Sequence, residues 1–386
     1  MIKRRISSKI LQLAKQYPVI TITGPRQSGK TTLCRDLFSR RDYITLEDLD
    51  EREFARNDPR GFLARFPKGA VIDEVQRVPG ILSYIQGIVD SSDIPGLFIL
   101  TGSHQFDLIS SITQSLAGRT ALVNLLPFSM DEIYPSSKNI PSFDEVIFRG
   151  FYPRIHDKKL DPTEALSFYV NTYIERDLRN IINIKDLSIF DRFLKLCAGR
   201  TGQILNLSGI GNDCGINHNT VKSWISVLET SGIIKLLPPY FKSFNKRLIK
   251  SPKLYFLDPG LACYLLGIQE AGHVTSHPLR GALFESFIFS ELVKTRYNQV
   301  KNDNLYYFRD NTGNEVDIIM DYGSKTVRLE IKSGMTVSTD ILKGLKFYSS
   351  LSNSPGNSYL VYGGEKSYTR EGINILSWKD LAAKDL

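Results

Sequence analysis

Gly24-Pro25-Arg26-Gln27-Ser28-Gly29-Lys30-Thr31 fits the pattern G-x-x-x-x-G-K-[ST], a loop that cradles the phosphates of a nucleoside triphosphate. Its flanks supply the context such a loop needs. Val19-Ile20-Thr21-Ile22-Thr23 before it reads as a short strand, and Leu33, Leu37 and Phe38 after it have helical spacing. Glycine lets backbone N–H groups turn onto phosphate oxygens, and the helix N-terminus adds the positive end of its dipole. ATP is therefore expected on Gly24, Pro25, Arg26, Gln27, Ser28, Gly29, Lys30, Thr31 and Thr32. Lys30 would reach the β- and γ-phosphates, and the Thr31 hydroxyl would hold Mg²⁺.

Working outward, Ala70-Val71-Ile72-Asp73-Glu74 is an apolar run that ends in two carboxylates. A buried parallel strand delivers such acids at its C-terminal end, where ligands sit in open α/β sheets. Asp73 is expected to orient Mg²⁺ through its water shell, and Glu74 to polarise the attacking water. A third apolar run, 96–100, ends in Thr101-Gly102-Ser103. Ser103 is the candidate sensor of the γ-phosphate, ahead of His104 and Gln105, although the same residues are ordinary turn chemistry. Arg119 would face a nucleotide, its own or a neighbour's, as an arginine finger; a surface arginine is the plain alternative.

These runs, with Tyr43–Leu46 and Ala121–Leu125, alternate with helical or loop stretches, the mark of a parallel α/β sheet. The chain has 386 residues, enough for two or three domains. We expect three, at 1–150, 151–270 and 271–386. Four widely separated cysteines show no metal-binding spacing, which suits a reducing cytoplasm. No run approaches the roughly 18 apolar residues of a membrane helix. The basic start, Met1 to Ile6, lacks the apolar core of a signal peptide. The net charge of +8 permits nucleic-acid binding and equally describes a solvated basic surface.

The middle of the chain reads as mostly helical. Thr163 to Ile182 has apolar residues at helical spacing and a charged face with Glu175, Arg176, Asp177 and Arg179. That face is either solvated or places Arg176 across a subunit boundary. Ile204–Ile210 is expected to belong to a first helix, Gly211–Gly215 to a turn, and Asn217–Thr220 to the cap of a second helix with Val221, Trp224, Ile225 and Leu228. Gly232–Leu237 would be a strand entering a wing. Lys235, Lys242, Lys246, Arg247, Lys250 and Lys253 follow, interleaved with Tyr240, Phe241 and Phe244 and without an acid. A winged helix with a basic 235–253 stretch is a candidate DNA-binding element. Its second helix carries only Lys222 as a base, so backbone contacts are expected rather than base reading. The alternative is a winged helix used for packing.

Toward the C-terminus a helical run, Ala282–Leu292, precedes β-like runs at 305–309, 315–320 and 326–332, with a hairpin turn at Asn311–Asn314. Glu330 and Lys332 are two apart on one strand face. Asp317 would lie beside them, and Glu285 comes from the helix. This set looks like the core of the PD-(D/E)xK nuclease superfamily. Glu285, Asp317 and Glu330 would hold Mg²⁺, with Lys332 stabilising charge. Such folds also persist as inactive binding domains.

Together these stretches resemble the prokaryotic AAA family ATPases that carry a C-terminal domain of unknown function. The resemblance rests on Gly24–Thr31, Ala70–Gln76, Ile99–Gln105, Ser115–Arg119, Tyr173–Arg179, Leu237–Gly267 and Arg328–Gly334, and above all on Lys246–Asp258. It implies an α/β chain: an AAA-type P-loop parallel sheet, a helical and winged-helix domain, and an α+β restriction-endonuclease-like domain. A homo-oligomer is expected by the same analogy. One departure stands out. Relatives tend to carry a Gly-Gly-Phe-Pro-Glu-like run where this chain has Gly150-Phe151-Tyr152-Pro153-Arg154. The expected activity is Mg²⁺-dependent ATP hydrolysis acting on DNA. The alternatives are a nucleotide-controlled protein-binding switch and an ATP-regulated nuclease.

Overall fold

The computed structural model describes residues 2–92, 94–103, 110, 112, 114–136, 139–172, 186–240, 250–351 and 355–384. Several expectations fall outside these residues: His104 and Gln105, the charged face with Arg176, and the bases Lys242, Lys246 and Arg247 with Phe241 and Phe244.

Five short strands form the first sheet: β1 (Val19–Thr23), β2 (Asp42–Thr45), β3 (Ala70–Asp73), β4 (Phe98–Thr101) and β5 (Thr120–Asn124). Their order is β2-β3-β4-β1-β5, and every pairing is parallel. The three inner strands β1, β3 and β4 are buried along their whole length, the rule where both faces of a parallel sheet are covered, while the edge strands β2 and β5 are partly exposed. Alternate residues feed opposite cores. Ala70, Ile72, Phe98 and Leu100 join Phe62, Ile81 and Ile85 on one face. Ile20, Ile22, Val71 and Ile99 join Ile6, Ile10 and Leu33 on the other. The C-terminal ends of β1, β3 and β4 therefore lie side by side along one edge.

The second sheet has three antiparallel strands, β6 (Gln203–Ile204), β7 (Ile234–Leu237) and β8 (Lys253–Phe256), in the order β6-β8-β7. Two helices, Leu207–Cys214 and His218–Thr230, stand between β6 and β7. The first starts later and ends later than its sequence suggests. The Asn206 side chain caps it by accepting from Gly209 N, and Gly211 stays helical. A side chain there would sit 2.7 Å from Ile216 O, so glycine serves close packing rather than a turn. The turn falls on Gly215, at φ 72°. Asn217 caps the second helix through Thr220 N, as expected. The helix expected from Thr163 begins as Pro162–Tyr169.

The third sheet has six strands: β9 (Leu305–Arg309), β10 (Glu315–Asp321), β11 (Thr326–Lys332), β12 (Ser358–Tyr362), β13 (Tyr368–Arg370) and β14 (Ile373–Ser377), ordered β13-β14-β12-β11-β10-β9. The helix Arg280–Asn298 packs on it, longer than the run expected at 282–292. At the hairpin turn, the Asp310 carboxylate accepts from Thr312 N and Asn314 N. One apolar core runs from Leu126 to Leu381 and joins the second and third sheets. Tyr240 N donates to Tyr307 O and Tyr307 N to Pro238 O, so the chain after β7 pairs with β9. Among the described residues no helix is long and apolar enough to cross a membrane.

Candidate active site

The loop between β1 and the helix Lys30–Leu37 is shaped by two glycines with positive φ. Gly24 (φ 146°) leaves no room for a side chain, since a Cβ there would meet Leu125 O at 2.1 Å. Gly29 (φ 93°) caps the helix. Arg4 braces this loop from the N-terminal segment. Its guanidinium donates to Ser28 O and Leu126 O, each at 2.7 Å, and to Glu132 Oε1 at 3.2 Å. Inside the loop the Lys30 ammonium donates to Gly24 O (3.0 Å) and Pro25 O (2.8 Å). Burial outweighs the nearby Glu74 and Asp73 charges and pushes its pKa down to about 8.

Asp73 ends β3 and gathers hydroxyls. Thr31 Oγ1 donates to Asp73 Oδ2 at 2.9 Å, Tyr43 OH to the same oxygen, and Thr101 Oγ1 to Oδ1. Glu74 follows in the left-handed region (φ 58°, ψ 44°) and opens the 3₁₀ turn Val75–Arg77. This conformation, uncommon in a non-glycine residue, turns the chain sharply at the end of β3. The Gln76 amide donates to both Glu74 Oε2 and Ser103 Oγ. The two residues singled out from sequence are thus linked through a third that was not. Burial, reinforced by Asp73, holds the Glu74 carboxyl above its ordinary value.

These residues face a cavity of about 610 Å³. Arg26, Gln27, Gly29, Lys30, Thr31 and Thr32 form one wall with Glu47, Asp73 and Glu74. Pro153, Arg154, Asp157 and Lys158, from a helix of the second segment, complete the lining. Arg154 and Lys158 are four apart and share a helix face. Sequence reading missed both. The only signal was that Arg154 stands where relatives tend to have an acid. A larger groove, about 960 Å³, lies between helices Pro59–Ala64 and Ile81–Ser92 and holds no charged side chain but Arg60; phosphate chemistry has no foothold there.

The residues fit a magnesium nucleoside triphosphate. The ammonium rests on loop carbonyls that phosphates would replace, and a loop hydroxyl already sits on the acid of β3. Gln76 Oε1 is buried without a hydrogen-bond partner, an acceptor free for a water molecule.

Arg119 is placed elsewhere. Thr120 pairs with Val19 and Asn124 with Thr23, so Arg119 lies at the end of the sheet away from the loop, about 16 Å along the strand direction. It pairs there with Asp90. The structure does not bring it to this chain's own cleft.

The C-terminal acids do come together, around a residue not assigned to them from sequence. Lys253 of β8 is 3% exposed, with Nζ 2.6 Å from Glu315 Oε1, 3.1 Å from Glu285 Oε1 and 3.8 Å from Asp317 Oδ1. Lys332 takes the outer side, 2.6 Å from Glu330 Oε1 and 3.5 Å from Asp317 Oδ2. Burial and the Asp317 charge raise the Glu330 pKa to about 8, against the pull of Lys332. Among the described residues no group of three or more His, Cys, Asp or Glu is arranged to hold a metal ion.

The basic stretch at 235–253 is less free than it reads. Lys235 pairs with Asp303 at 2.6 Å, and Lys253 is buried as described. Both belong to strands whose neighbours from the third segment supply acids, which local sequence does not reveal. Lys222, on the second helix of the pair, is exposed.

Residues 16–134 match the family model described as "AAA domain". Residues 140–272 and 280–381 match two models described as domains of unknown function, DUF8612 and DUF4143. Uncharacterised proteins of Mycobacterium bovis and Mycobacterium tuberculosis are each 28% identical over 339 residues, covering 87% of this chain and 75% of theirs. A Walker-type ATPase of Pyrococcus abyssi aligns over 69% of this chain and 96% of its own at 16% identity and a TM-score of 0.46.

Proposed function

We propose, from the premise that residues 16–134 belong to the AAA family of P-loop ATPase domains, that this chain hydrolyses ATP with Mg²⁺ in the cleft between that domain and the helix Pro153–Lys158. The observation that carries the reading is that Lys30, Thr31, Asp73 and Glu74 line one cavity, with Thr31 bonded to Asp73 and Glu74 held from behind by Gln76 and Ser103.

Each side chain then has a task. Lys30 leaves its loop carbonyls for the β- and γ-phosphates, and Thr31 and Asp73 would hold the metal. Bound Mg²⁺ supplies charge neutralisation at the phosphates. Glu74 accepts the proton of the attacking water. Gln76 fixes the Glu74 carboxylate against Ser103. Arg154 and Lys158 add positive charge to the cleft, where negative charge on the transferred group must be balanced. Arg119, at the far end of the sheet, would serve only a neighbour's nucleotide, so the proposed homo-oligomer is the one setting in which it acts as a finger.

Action on DNA is the proposed output. A helix pair flanked by a three-stranded antiparallel sheet suits a winged helix, and the +8 net charge with the exposed Lys222 suits backbone contact. One observation favours a protein-binding switch instead: Lys235 and Lys253 are already spent on acids. ATP turnover without DNA, then with single-stranded, duplex and branched DNA, separates them. Stimulation by one form supports the DNA reading, and turnover indifferent to all of them supports the switch.

A further inference from the structure

Four carboxylates from three elements meet against β8: Glu285 of the helix Arg280–Asn298, Glu315 and Asp317 of β10, and Glu330 of β11. Carboxylates this close and this buried repel one another and lose hydration, so the fold must supply positive charge among them. The third segment, which carries the acids, supplies only part of it. Lys332 is 41% exposed and sits at the outer edge, and Arg309 reaches only Glu315, at 3.3 Å. The inner charge comes from another segment. Lys253 and Tyr255 are two apart on β8 and point the same way. The Lys253 ammonium touches Glu285, Glu315 and Asp317, and the Tyr255 hydroxyl donates to Glu285 Oε1.

We propose that Lys253 is the resident cation of this cluster: a tethered ammonium standing where a divalent ion would otherwise be held, so that docking of β8 closes the cluster to metal. Three observations converge on it. Asp317 is shared between two lysines, with one oxygen toward Lys253 and the other toward Lys332 and Ile331 N. Positive charge thus stands on both sides of this carboxylate, which opposes the approach of a second cation. Glu330 Oε2 is buried with no hydrogen-bond partner, an acceptor that the two lysines leave unserved. The plug also belongs to the second segment while the acids belong to the third, so the balance of charge in the cluster depends on the two being docked. With Lys253 in place the third segment is a binding platform rather than a metal-dependent nuclease.

The test is Mn²⁺ binding to the full chain, followed by electron paramagnetic resonance. No nucleotide is added, so the result does not depend on the ATPase reading. Wild type is expected to show no saturable site below millimolar Mn²⁺, Lys253→Met to gain one site per chain, and Lys253→Met/Asp317→Asn to lose it. Mn²⁺ binding by wild type that disappears in Asp317→Asn overturns the proposal, as does a folded Lys253→Met that takes up none. Should Lys253→Met fold too poorly to titrate, denaturant midpoints decide. A tethered counter-ion predicts that adding Asp317→Asn to Lys253→Met raises the midpoint, since the excess carboxylate charge is removed. An unchanged or lower midpoint contradicts it.

Discussion

The Thr31 hydroxyl lies 2.9 Å from Asp73 Oδ2, so the phosphate loop and the acid of β3 are joined by a hydrogen bond. With Tyr43 and Thr101 also donating, Asp73 satisfies three hydroxyls in a nearly closed environment. It therefore carries structure as well as chemistry. Asp73→Ala leaves those donors unpaired and should lower folding stability by about 1–3 kcal/mol, read from urea denaturation, while also abolishing turnover. A variant with unchanged stability would show that the hydroxyls find other partners.

Gln76 holds Glu74 and Ser103 together, which separates two kinds of defect. Glu74→Gln removes the proton acceptor and should slow hydrolysis by about 10²-fold or more, with ATP affinity kept. Gln76→Ala leaves the acceptor in place but loosens its aim, so a smaller fall in kcat is expected at unchanged KM. If Gln76→Ala weakened ATP binding as strongly as it slowed turnover, its assignment as a positioning residue would be wrong.

The depressed Lys30 pKa of about 8 gives ATP binding a pH dependence of known sign. Below about pH 8 the ammonium is charged before and after binding, and the affinity is flat. Above it the free cleft holds neutral lysine while phosphate requires the charged form, so binding must take up a proton. The dissociation constant should then rise toward tenfold per pH unit until the pKa of the lysine in the complex is reached. Titrating a fluorescent ATP analogue between pH 7 and 10 checks this; a flat curve contradicts it.

Two arginines make opposite predictions. Arg154 lines the cleft of its own chain, whereas Arg119 lies at the far end of the sheet beside Asp90. Arg154→Ala should weaken ATP binding or turnover at every protein concentration. Arg119→Ala should matter only where chains associate. Turnover measured across a protein dilution series distinguishes them, and a defect of Arg119→Ala in dilute, dissociated chains would refute the placement.

What the sequence made legible was local. The loop Gly24–Thr31, the acids after β3 and the polar end of β4 follow apolar runs directly, and their order fixes a parallel sheet with its ligands at one edge. What it hid was reached across the fold. Arg4 braces Ser28 from 24 residues away. Arg154 and Lys158 face the loop only because the second segment folds back on it. Lys253 looked like one base in a basic wing until β8 was seen to face the acids of the third sheet. Charge along one strand says which face a residue takes and nothing about which element covers that face. Gln76 was nearer to being readable. It stands two residues after Glu74, and a 3₁₀ turn brings the pair together, but no periodicity announces a turn of three residues.

The most direct test of the central claim is steady-state hydrolysis of ATP with Mg²⁺ by wild type and by Lys30→Ala prepared in parallel. The account predicts turnover in the wild type, lost when Mg²⁺ is chelated, and none in Lys30→Ala. Equal turnover in the two would mean that the hydrolysis does not occur at the Gly24–Thr31 loop, and the assignment of the cleft would fall with it.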